Sequence, residues 1–409
     1  VLNALKLTAN KQKIFNGIFS EYLRILNETL KSLPNAGSST QLHHLTYNRI
    51  RETSFLPSDV VQEARKDVWA KRKTVKEGFR RCSIRFNQRW FRYVKSERGN
   101  PLFRITYAPS KSFMVPVRVD GQLERFNRFA GEWWSFRNIS LLRDGRIVVV
   151  LEKEFPAPAD DKRFVVGVDV GSTTLAAVTV YDSVKGKVAK QLYLGRDVAI
   201  KQRRFQDRRG RLQAHADCGS GKAKKYLKKL RRKEHNYVTT RSGQVAREIV
   251  VLAKKYNASV AREKGNFRSR KHEKNRKANR KINRIPYSKL NGFLASNCEE
   301  AIVSNPKVDA YHTSKWCPHC GAVNPGHHSK NYALYRCKTC GLIVNSDRKA
   351  SLAIAVKSVL ERTVQDVTKP CFVQFSSTRV PVNGLVRPNA AKSGSAVRST
   401  NRPMESHPF

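Results

Sequence analysis

The sequence predicts a multidomain protein that combines a helical domain, a β-barrel or β-sheet domain and an α/β domain. The chain has 409 residues, which is more than one ordinary domain contains. Its hydrophobic share of 40% is sufficient for packed cores. The spacing of apolar residues also changes along the chain, from the three- and four-residue spacing of helices to the alternation of strands and then to a mixture of the two.

Residues 9–96 are predicted to form a small basic helical domain. Apolar residues over 14–33 fall at helical spacing, and a second helix begins after Pro57. Lys and Arg side chains separate the apolar residues of this second helix. We expect helical structure to continue to about Tyr93.

Residues 97–158 contain short β-rich runs that are separated by glycines, which is typical of a compact barrel or sheet. Asp144-Gly145 lies between two apolar runs and indicates a hairpin. If residues 1–8 form the first strand of this domain, the helical domain is an insertion within it.

From residue 164 the pattern becomes α/β. Residues 164–168 predict a buried strand, and residues 175–181 predict its hairpin partner. An amphipathic helix is predicted over 244–256, and a weak strand over 258–261 follows it.

A cysteine-rich module, a helix over 348–361 and a polar tail complete the chain. The tail over 363–409 is rich in Ser, Asn, Pro and Val without periodicity, so we expect it to be flexible.

The charge balance predicts a polyanionic partner. Lys and Arg number 80 against 32 Asp and Glu, so the formal net charge is +48. Self-repulsion of that size destabilises a compact chain unless a polyanion relieves it, which favours a nucleic acid. A ribosomal or chromatin-type binder is the plainer alternative. No membrane partner is expected, because no apolar stretch approaches about 18 residues and no lipidation signal is present.

Four of the eight cysteines form two CxxC pairs, Cys317 with Cys320 and Cys337 with Cys340. This spacing is typical of a structural zinc site with four thiolates. A glycine follows each pair and allows a tight turn. Two unrelated or redox-active pairs are the alternative. The scattered remaining cysteines favour a reducing compartment, and hence the cytoplasm.

Three acidic residues are candidates for a second metal site. Asp169 follows an apolar strand and lies between glycines that leave room for a phosphate or a metal. Glu263 ends the weak strand, and Asp347 precedes the last helix. Taken singly, each has a structural alternative: a strand-end cap, a surface ion pair and a helix N-cap, respectively. Together, they suit two Mg²⁺ ions, because paired ions bound by carboxylates hydrolyse phosphodiesters.

The order of these motifs resembles that of the TnpB family, transposon-encoded RNA-guided nucleases that are relatives of the type V CRISPR effectors. That order is an aspartate within GVDVGSTTLAAV (167–178), a basic helical stretch, a glutamate, a zinc ribbon and a final aspartate. Residues 308–317 (VDAYHTSKWC) resemble the family's approach to its first cysteine pair. Basic residues over 203–233 resemble its bridging segment, and Val386-Arg387-Pro388 favours a transposon protein over a CRISPR effector.

The resemblance implies a ribonuclease-H-like (RuvC) nuclease with an inserted zinc ribbon, a wedge β-barrel and a helical recognition domain. It implies these boundaries: wedge barrel 1–8 and 97–158, recognition domain 9–96, nuclease 159–307 and 342–362, zinc ribbon or target nucleic-acid-binding module 308–341, and tail 363–409.

The resemblance further implies that Asp169, Glu263 and Asp347 are catalytic and bind two Mg²⁺, and that the four paired cysteines hold a structural Zn²⁺. The implied partners are a guide RNA from the transposon end and a matching double-stranded DNA, which is cut beside a short motif. The implied nucleic-acid contacts are Lys76, Arg203, Arg204, Arg208, Arg209, Lys224, Lys225, Lys228, Arg268 and Arg270.

A monomer is favoured, in the cytoplasm with the nucleoid, or in the nucleus of a eukaryote. Two departures from the family stand out. Lys349, Ala350 and Ser351 replace an Asn-Ala-Ala run after the last aspartate. The strand before Glu263 has fewer apolar residues than is usual in the family. A nuclease-silent RNA-guided repressor and a guide-independent zinc-ribbon protein remain alternatives to the nuclease.

Overall fold

A computed structural model of the chain describes residues 1–75, 77–132, 134–265, 279, 282–323, 327–328 and 333–363. The chain divides into two compact units, Val1–Glu154 and Phe155–Phe409. Lys76, Arg268, Arg270 and the predicted tail from residue 364 onward lie outside the described residues.

The first unit contains three helices with buried apolar faces. Ile18, Tyr22 and Ile25 are buried at helical spacing on the first helix, as are Val61 and Ala64 on the third. The helices are α1 (Ala9–Lys31), α2 (Ser39–Thr53) and α3 (Ser58–Lys71).

Two antiparallel sheets and a short helix complete the first unit. The elements are β1 (Leu2–Asn3), β2 (Ser83–Asn87), β3 (Phe91–Lys95), β4 (Pro101–Ala108), β5 (Lys111–Pro116), α4 (Gly121–Gly131), β6 (Ser135–Leu142) and β7 (Arg146–Glu152). One sheet has the order β1-β7-β6-β2 and the other β3-β4-β5. The hairpin predicted at Asp144-Gly145 joins β6 to β7, with Gly145 at a φ of 81°. One cluster of buried hydrophobic side chains joins both sheets to the helices.

The expectation that helical structure continues to about Tyr93 is wrong. Helix α3 ends at Lys71, and the residues around Tyr93 belong to β3. Buried Ile84 and Phe86 alternate with exposed residues in β2, which is the period of a strand. Ser83 and Arg85 occupy the exposed positions. With only two buried positions, this alternation is too short to stand out from a helical pattern in the sequence.

The second unit is built on a five-stranded mixed sheet. Its strands are β8 (Phe164–Asp169), β9 (Ala176–Asp182), β10 (Lys187–Leu194), β11 (Ala258–Glu263) and β12 (Lys307–Val308). The order is β10-β9-β8-β11-β12; the first three are antiparallel, whereas β11 runs parallel to both β8 and β12. The strand predicted over 164–168 and its hairpin partner are confirmed.

Among the described residues, helices and a small sheet accompany it: α5 (Arg196–Asp217), α6 (Gly221–Tyr256), α7 (Tyr287–Glu300), α8 (Ser346–Thr363), β13 (His327–His328), β14 (Leu334–Arg336) and β15 (Ile343–Asn345). The helices predicted over 244–256 and 348–361 are confirmed. In the described part of the chain, no helix is long and apolar enough to cross a membrane.

Different helices cover the two faces of the five-stranded sheet. Val166 and Val168 of β8 pack in one cluster with residues of α6 and α7. Val165 packs in another cluster with residues of α8. Because strand side chains alternate, Gly167 and Asp169 lie on the face that α8 covers.

Helix α8 meets β8 at Gly167 with backbone against backbone. A Cβ at this position would lie 2.0 Å from the Ser351 carbonyl oxygen and 2.8 Å from the Ala355 amide nitrogen. Beside this contact, the hydroxyl oxygens of Ser351 and Thr179 are 2.6 Å apart. The expectation that this glycine leaves room for a phosphate or a metal is wrong, since it leaves room for a helix.

Gly167→Ala is predicted to destabilise the protein by about 1–3 kcal/mol, because the added methyl forces α8 away from β8. Urea unfolding measures the effect. Gly210→Ala is the matched control, because a Cβ there meets nothing within 4 Å in the middle of α5. This control should stabilise by about 0.5–1 kcal/mol through helix propensity. Equal unfolding midpoints for the two variants would contradict the packing described.

Candidate carboxylate and metal sites

Asp169 and Glu263 end two neighbouring parallel strands. Val168 of β8 is in register with Arg262 of β11, so the two acidic residues follow at the next position of each strand. Ala261 packs with α8, and Glu263, two residues later, therefore lies on the same face as Asp169. Both carboxylates are thus at one edge and on one face of the sheet.

Helix α8 begins at the same edge. Asp169 pairs with Ala177, and Ala177 pairs with Tyr193 of β10. The Tyr193 hydroxyl donates to Asn345 Oδ1 at 2.6 Å, immediately before α8. Asp347 lies in the first turn of α8. The fold therefore brings Asp347 to the end of the sheet that carries Asp169.

Asn345 caps α8. Its Oδ1 accepts hydrogen bonds from the backbone N–H groups of Asp347 and Arg348, each at 3.1 Å. The alternative in which Asp347 is itself the N-cap is therefore wrong. A carboxylate in the first turn is stabilised by the positive end of the helix dipole.

The three carboxylates share an edge of the sheet but are not tightly clustered. Within the described ranges, the four paired cysteines are the one group of three or more His, Cys, Asp or Glu whose ligand atoms all lie within 4.8 Å of one another. Asp169, Glu263 and Asp347 do not form such a group. A shared cation would have to draw their side chains together from adjacent backbone positions.

Glu263 is held by residues outside its own strand. Thr313, which is 1% exposed, donates a hydrogen bond from Oγ1 to Glu263 Oε1 at 2.6 Å. The Tyr287 hydroxyl donates to the Glu263 carbonyl oxygen at 3.0 Å. Beside it, Arg262 donates from Nε to Asn305 Oδ1 at 2.5 Å, and burial lowers the pKa of Arg262. These contacts hold the end of β11, the short strand that has few apolar residues in the sequence.

Lys349 is fully buried in the first turns of α8. Its Nζ donates to the carbonyl oxygens of Thr313 at 3.3 Å, Ser314 at 2.8 Å and Trp316 at 3.2 Å. The ammonium also lies 4.4 Å from the centre of the Tyr335 ring. An ammonium group has three donors, and here all three meet carbonyl oxygens.

Burial lowers the pKa of Lys349 to about 8, and the charges of Cys317, Asp169 and Cys337 oppose that shift. The lysine that departs from the family's Asn-Ala-Ala run is therefore electrostatically coupled both to the first carboxylate and to the cysteines.

The four paired cysteines have the geometry of a zinc site. The sulfur atoms of Cys317 and Cys340 are 3.7 Å apart, as are those of Cys320 and Cys337. A tetrahedron with Zn–S bonds of about 2.3 Å has sulfur–sulfur edges of about 3.8 Å. Disulfide sulfurs are separated by about 2.05 Å, so these pairs are not disulfides. The donor set therefore fits Zn²⁺.

Glycines close both cysteine turns. Gly321 and Gly341 have φ values of 73° and 71°, a region that side chains with a Cβ rarely adopt. Their N–H groups donate to the carbonyl oxygens of Cys317 at 3.0 Å and Cys337 at 3.1 Å. The tight turns expected after each pair are present.

The described basic residues that were predicted to contact nucleic acid lie on α5 and α6. Arg209 forms an ion pair with Glu234, which joins the two helices. Lys76, Arg268 and Arg270 are outside the described residues. The exposed members are Arg203, Arg204, Arg208, Lys224, Lys225 and Lys228.

A basic cavity of about 610 Å³ adjoins the loop that follows Asp169. Ser172, Arg196, Arg203 and Arg284 contribute to its lining. Positive charge and hydroxyl groups beside the carboxylate edge suit a phosphodiester backbone. A second cavity of about 770 Å³ is lined by residues that include Arg209, Lys228, Arg231, Arg284 and Lys289.

Sequence reasoning missed the residues that support the site. Thr313 is part of the motif before the first cysteine pair, but the sequence assigns it no contact with Glu263. The sequence analysis assigns no role to Asn345. The signals were present: a Thr-Ser pair four residues before Cys317, and an Asn two residues before Asp347. Thr313 gains its meaning only from a contact across the fold, whereas the Asn345 cap is a local pattern at the start of α8.

The chain is similar to known proteins in sequence and in fold. Residues 287–354 match the family model of the Cas12f1-like TNB domain. The chain is 26% identical over 207 residues to the CRISPR-associated endodeoxyribonuclease Cas12f1 of Sulfoacidibacillus thermotolerans, covering 49% of this chain and 47% of that protein. It is 23% identical over 265 residues to a TnpB-like protein of Methanocaldococcus jannaschii, covering 62% of this chain and 90% of that protein.

The fold is similar to that of Cas12f1 in the cryo-EM structure of a Cas12f1–sgRNA–target DNA complex. The TM-score is 0.62 at 14% identity, over 85% of this chain and 83% of that chain. The family match falls on α7, the ribbon and the start of α8, which together carry the four cysteines and Asp347. The chain is therefore a relative of the TnpB proteins and the type V CRISPR effectors.

Proposed function

We propose that this chain is an RNA-guided DNA endonuclease of a transposon, in which Asp169, Glu263 and Asp347 form the catalytic site of a RuvC-like domain. One observation carries the proposal. Two carboxylates end adjacent parallel strands on the face that α8 covers, and the third lies in the first turn of α8.

These residues fit a pair of Mg²⁺ ions, since hard cations prefer carboxylate oxygens. When bound, such ions supply an activated water and stabilise the leaving oxygen of a phosphodiester. Asp169 and Glu263 would hold them from the sheet and Asp347 from the helix. The Thr313 hydroxyl orients one Glu263 oxygen.

The four-cysteine ribbon would hold a structural Zn²⁺. Four thiolates complete a tetrahedron and leave no open position for a substrate, so this zinc would not act in catalysis. Its role would be to order the segment between β12 and α8.

A guide RNA and a double-stranded DNA target are the proposed partners. The net charge of +48 and the exposed Lys and Arg residues of α5 and α6 support a nucleic acid partner. The cavity beside Asp169 would admit the strand to be cut. The similar Cas12f1 is known in complex with sgRNA and target DNA. Cleavage beside a short motif, action as a monomer and location with the nucleoid belong to the same proposal.

A nuclease-silent RNA-guided binder is the second candidate. It is favoured by the buried Lys349 ammonium, whose charge is coupled to Asp169. Cleavage of the guide-matched DNA distinguishes the nuclease from the nuclease-silent binder.

Protein that is purified with its own RNA should cut a plasmid library at guide-matched sites in Mg²⁺ but not in EDTA. Asp169→Ala should lower the cleavage rate by at least about 10³-fold, because it removes a cation ligand from the reacting centre. Asp161→Ala, at an exposed position, is the matched control and should cut normally.

Guide-directed binding without cutting by the wild type would replace the nuclease with the silent binder. Purification without RNA would reject both guided functions and leave a guide-independent zinc-ribbon protein.

The purified chain should contain about one zinc per molecule, and Cys337→Ser should lose it, because a four-thiolate site rarely survives removal of one ligand. The melting temperature should also fall, since metal binding contributes to folding. Metal analysis and thermal unfolding measure these effects. Cys218→Ser, at an exposed position outside the cluster, is the control. Unchanged zinc content in Cys337→Ser would reject the site.

A further inference from the structure

The short segment between β12 and Cys317 contacts both the candidate carboxylate site and the ribbon. Thr313, within this segment, donates to Glu263 at 2.6 Å, whereas its distance to the Ala310 carbonyl oxygen is 3.1 Å. A hydroxyl has one proton, and the shorter contact to a charged acceptor is the stronger hydrogen bond. Thr313 therefore restricts the orientation of the Glu263 carboxylate.

Two buried lysines of α8 hold this segment, and we call them the lysine clamp. Lys349 donates to three carbonyl oxygens over residues 313–316. Lys357 donates to the Tyr311 carbonyl oxygen at 2.9 Å and is 1% exposed. The lysines are eight residues apart, so they lie on one face of the helix about two turns from each other.

A buried ammonium group costs free energy unless its donors are satisfied. The clamp satisfies Lys349 with carbonyl oxygens that lie just before Cys317. The Tyr335 hydroxyl of β14 donates to the Lys315 carbonyl oxygen in the same segment at 3.3 Å, so the ribbon sheet also contacts it. The clamp, the ribbon and the Thr313 hydroxyl are consequently interdependent.

The first turns of α8 carry Asp347 and Lys349 two residues apart. Helix α8 thus carries the candidate cation ligand Asp347. Through the lysine clamp it also holds Thr313, which orients Glu263.

We propose that Thr313 is a positioning residue for the Glu263 carboxylate. Held by the lysine clamp, it couples the folded zinc ribbon to binding of a divalent cation at the carboxylate edge. The inference rests on the proposed function, because it requires a cation at Asp169 and Glu263. It adds a role for the ribbon that does not depend on contact with nucleic acid.

Binding of Mn²⁺ to the full zinc-loaded chain without nucleic acid, measured by electron paramagnetic resonance, tests the coupling. Thr313→Val should weaken Mn²⁺ binding by about tenfold or more, as for other residues that orient metal ligands. It should leave the zinc content unchanged. Thr313→Ser keeps the hydroxyl and should restore binding to within about twofold of the wild type.

Lys349→Met keeps the length of the side chain but removes the ammonium group. Although it removes a positive charge coupled to Asp169, it should weaken Mn²⁺ binding, because the segment that carries Thr313 loses its support. It should also speed extraction of zinc by a chelator. Lys338→Met is the matched control, because Lys338 lies within the ribbon but is exposed. It should change neither quantity.

Asp169→Ala distinguishes failure of the proposed cation site from failure of the coupling alone. If it leaves Mn²⁺ binding unchanged, the carboxylates hold no cation, and the proposed nuclease site is rejected together with the coupling. If it abolishes binding while Thr313→Val binds Mn²⁺ like the wild type, only the coupling is rejected.

Discussion

The backbone contact between α8 and Gly167 is the constraint on which the second unit depends. A Cβ at this position would meet the Ser351 carbonyl oxygen at 2.0 Å, so no other residue type allows the helix this close. Asp347 lies one helical turn before Ser351, and Asp169 lies two residues after Gly167. The same contact therefore sets the separation between the helix-borne carboxylate and the strand-borne one. Close packing of α8 on β8 can fix this separation, since it permits few alternative positions of the helix.

Helix α8 also joins the candidate carboxylate site to the ribbon. Its residues from Leu352 to Val356 are buried in one cluster with residues of the sheet and of the ribbon, whereas Lys349 and Lys357 reach into the segment before Cys317. Burial of lysines in a core is unusual, and a hydrophobic side chain at either position would remove the desolvation cost. Both lysines instead donate to backbone carbonyl groups that precede the first cysteine. The helix thus acts as a common support, and this explains why the ribbon lies between β12 and α8 in the chain.

The parts of the fold with strong local signals were predictable from sequence. The strand before Asp169, its hairpin partner and the amphipathic helix before β11 each have a clear period, and the cysteine spacing specified its site. The strand around Ile84 was not separated from the preceding helix, because it is short (Ser83–Asn87) and its alternation includes only two buried side chains. The role of Gly167 was also hidden, since a glycine near an acidic residue suits a ligand as well as a helix. Thr313 acts through a residue 50 positions distant, and no local pattern encodes such a contact.

The central claim is that three carboxylates from two strands and one helix share a divalent cation site. Anomalous scattering from crystals of the chain soaked in Mn²⁺ tests it most directly, because it locates the ions without relying on activity. The account predicts anomalous density bounded by Asp169, Glu263 and Asp347, with the carboxylate oxygens drawn to about 2.2 Å from the ion, near the distances of hard divalent cations. Density at other places alone, or none at this edge at saturating Mn²⁺, would contradict it.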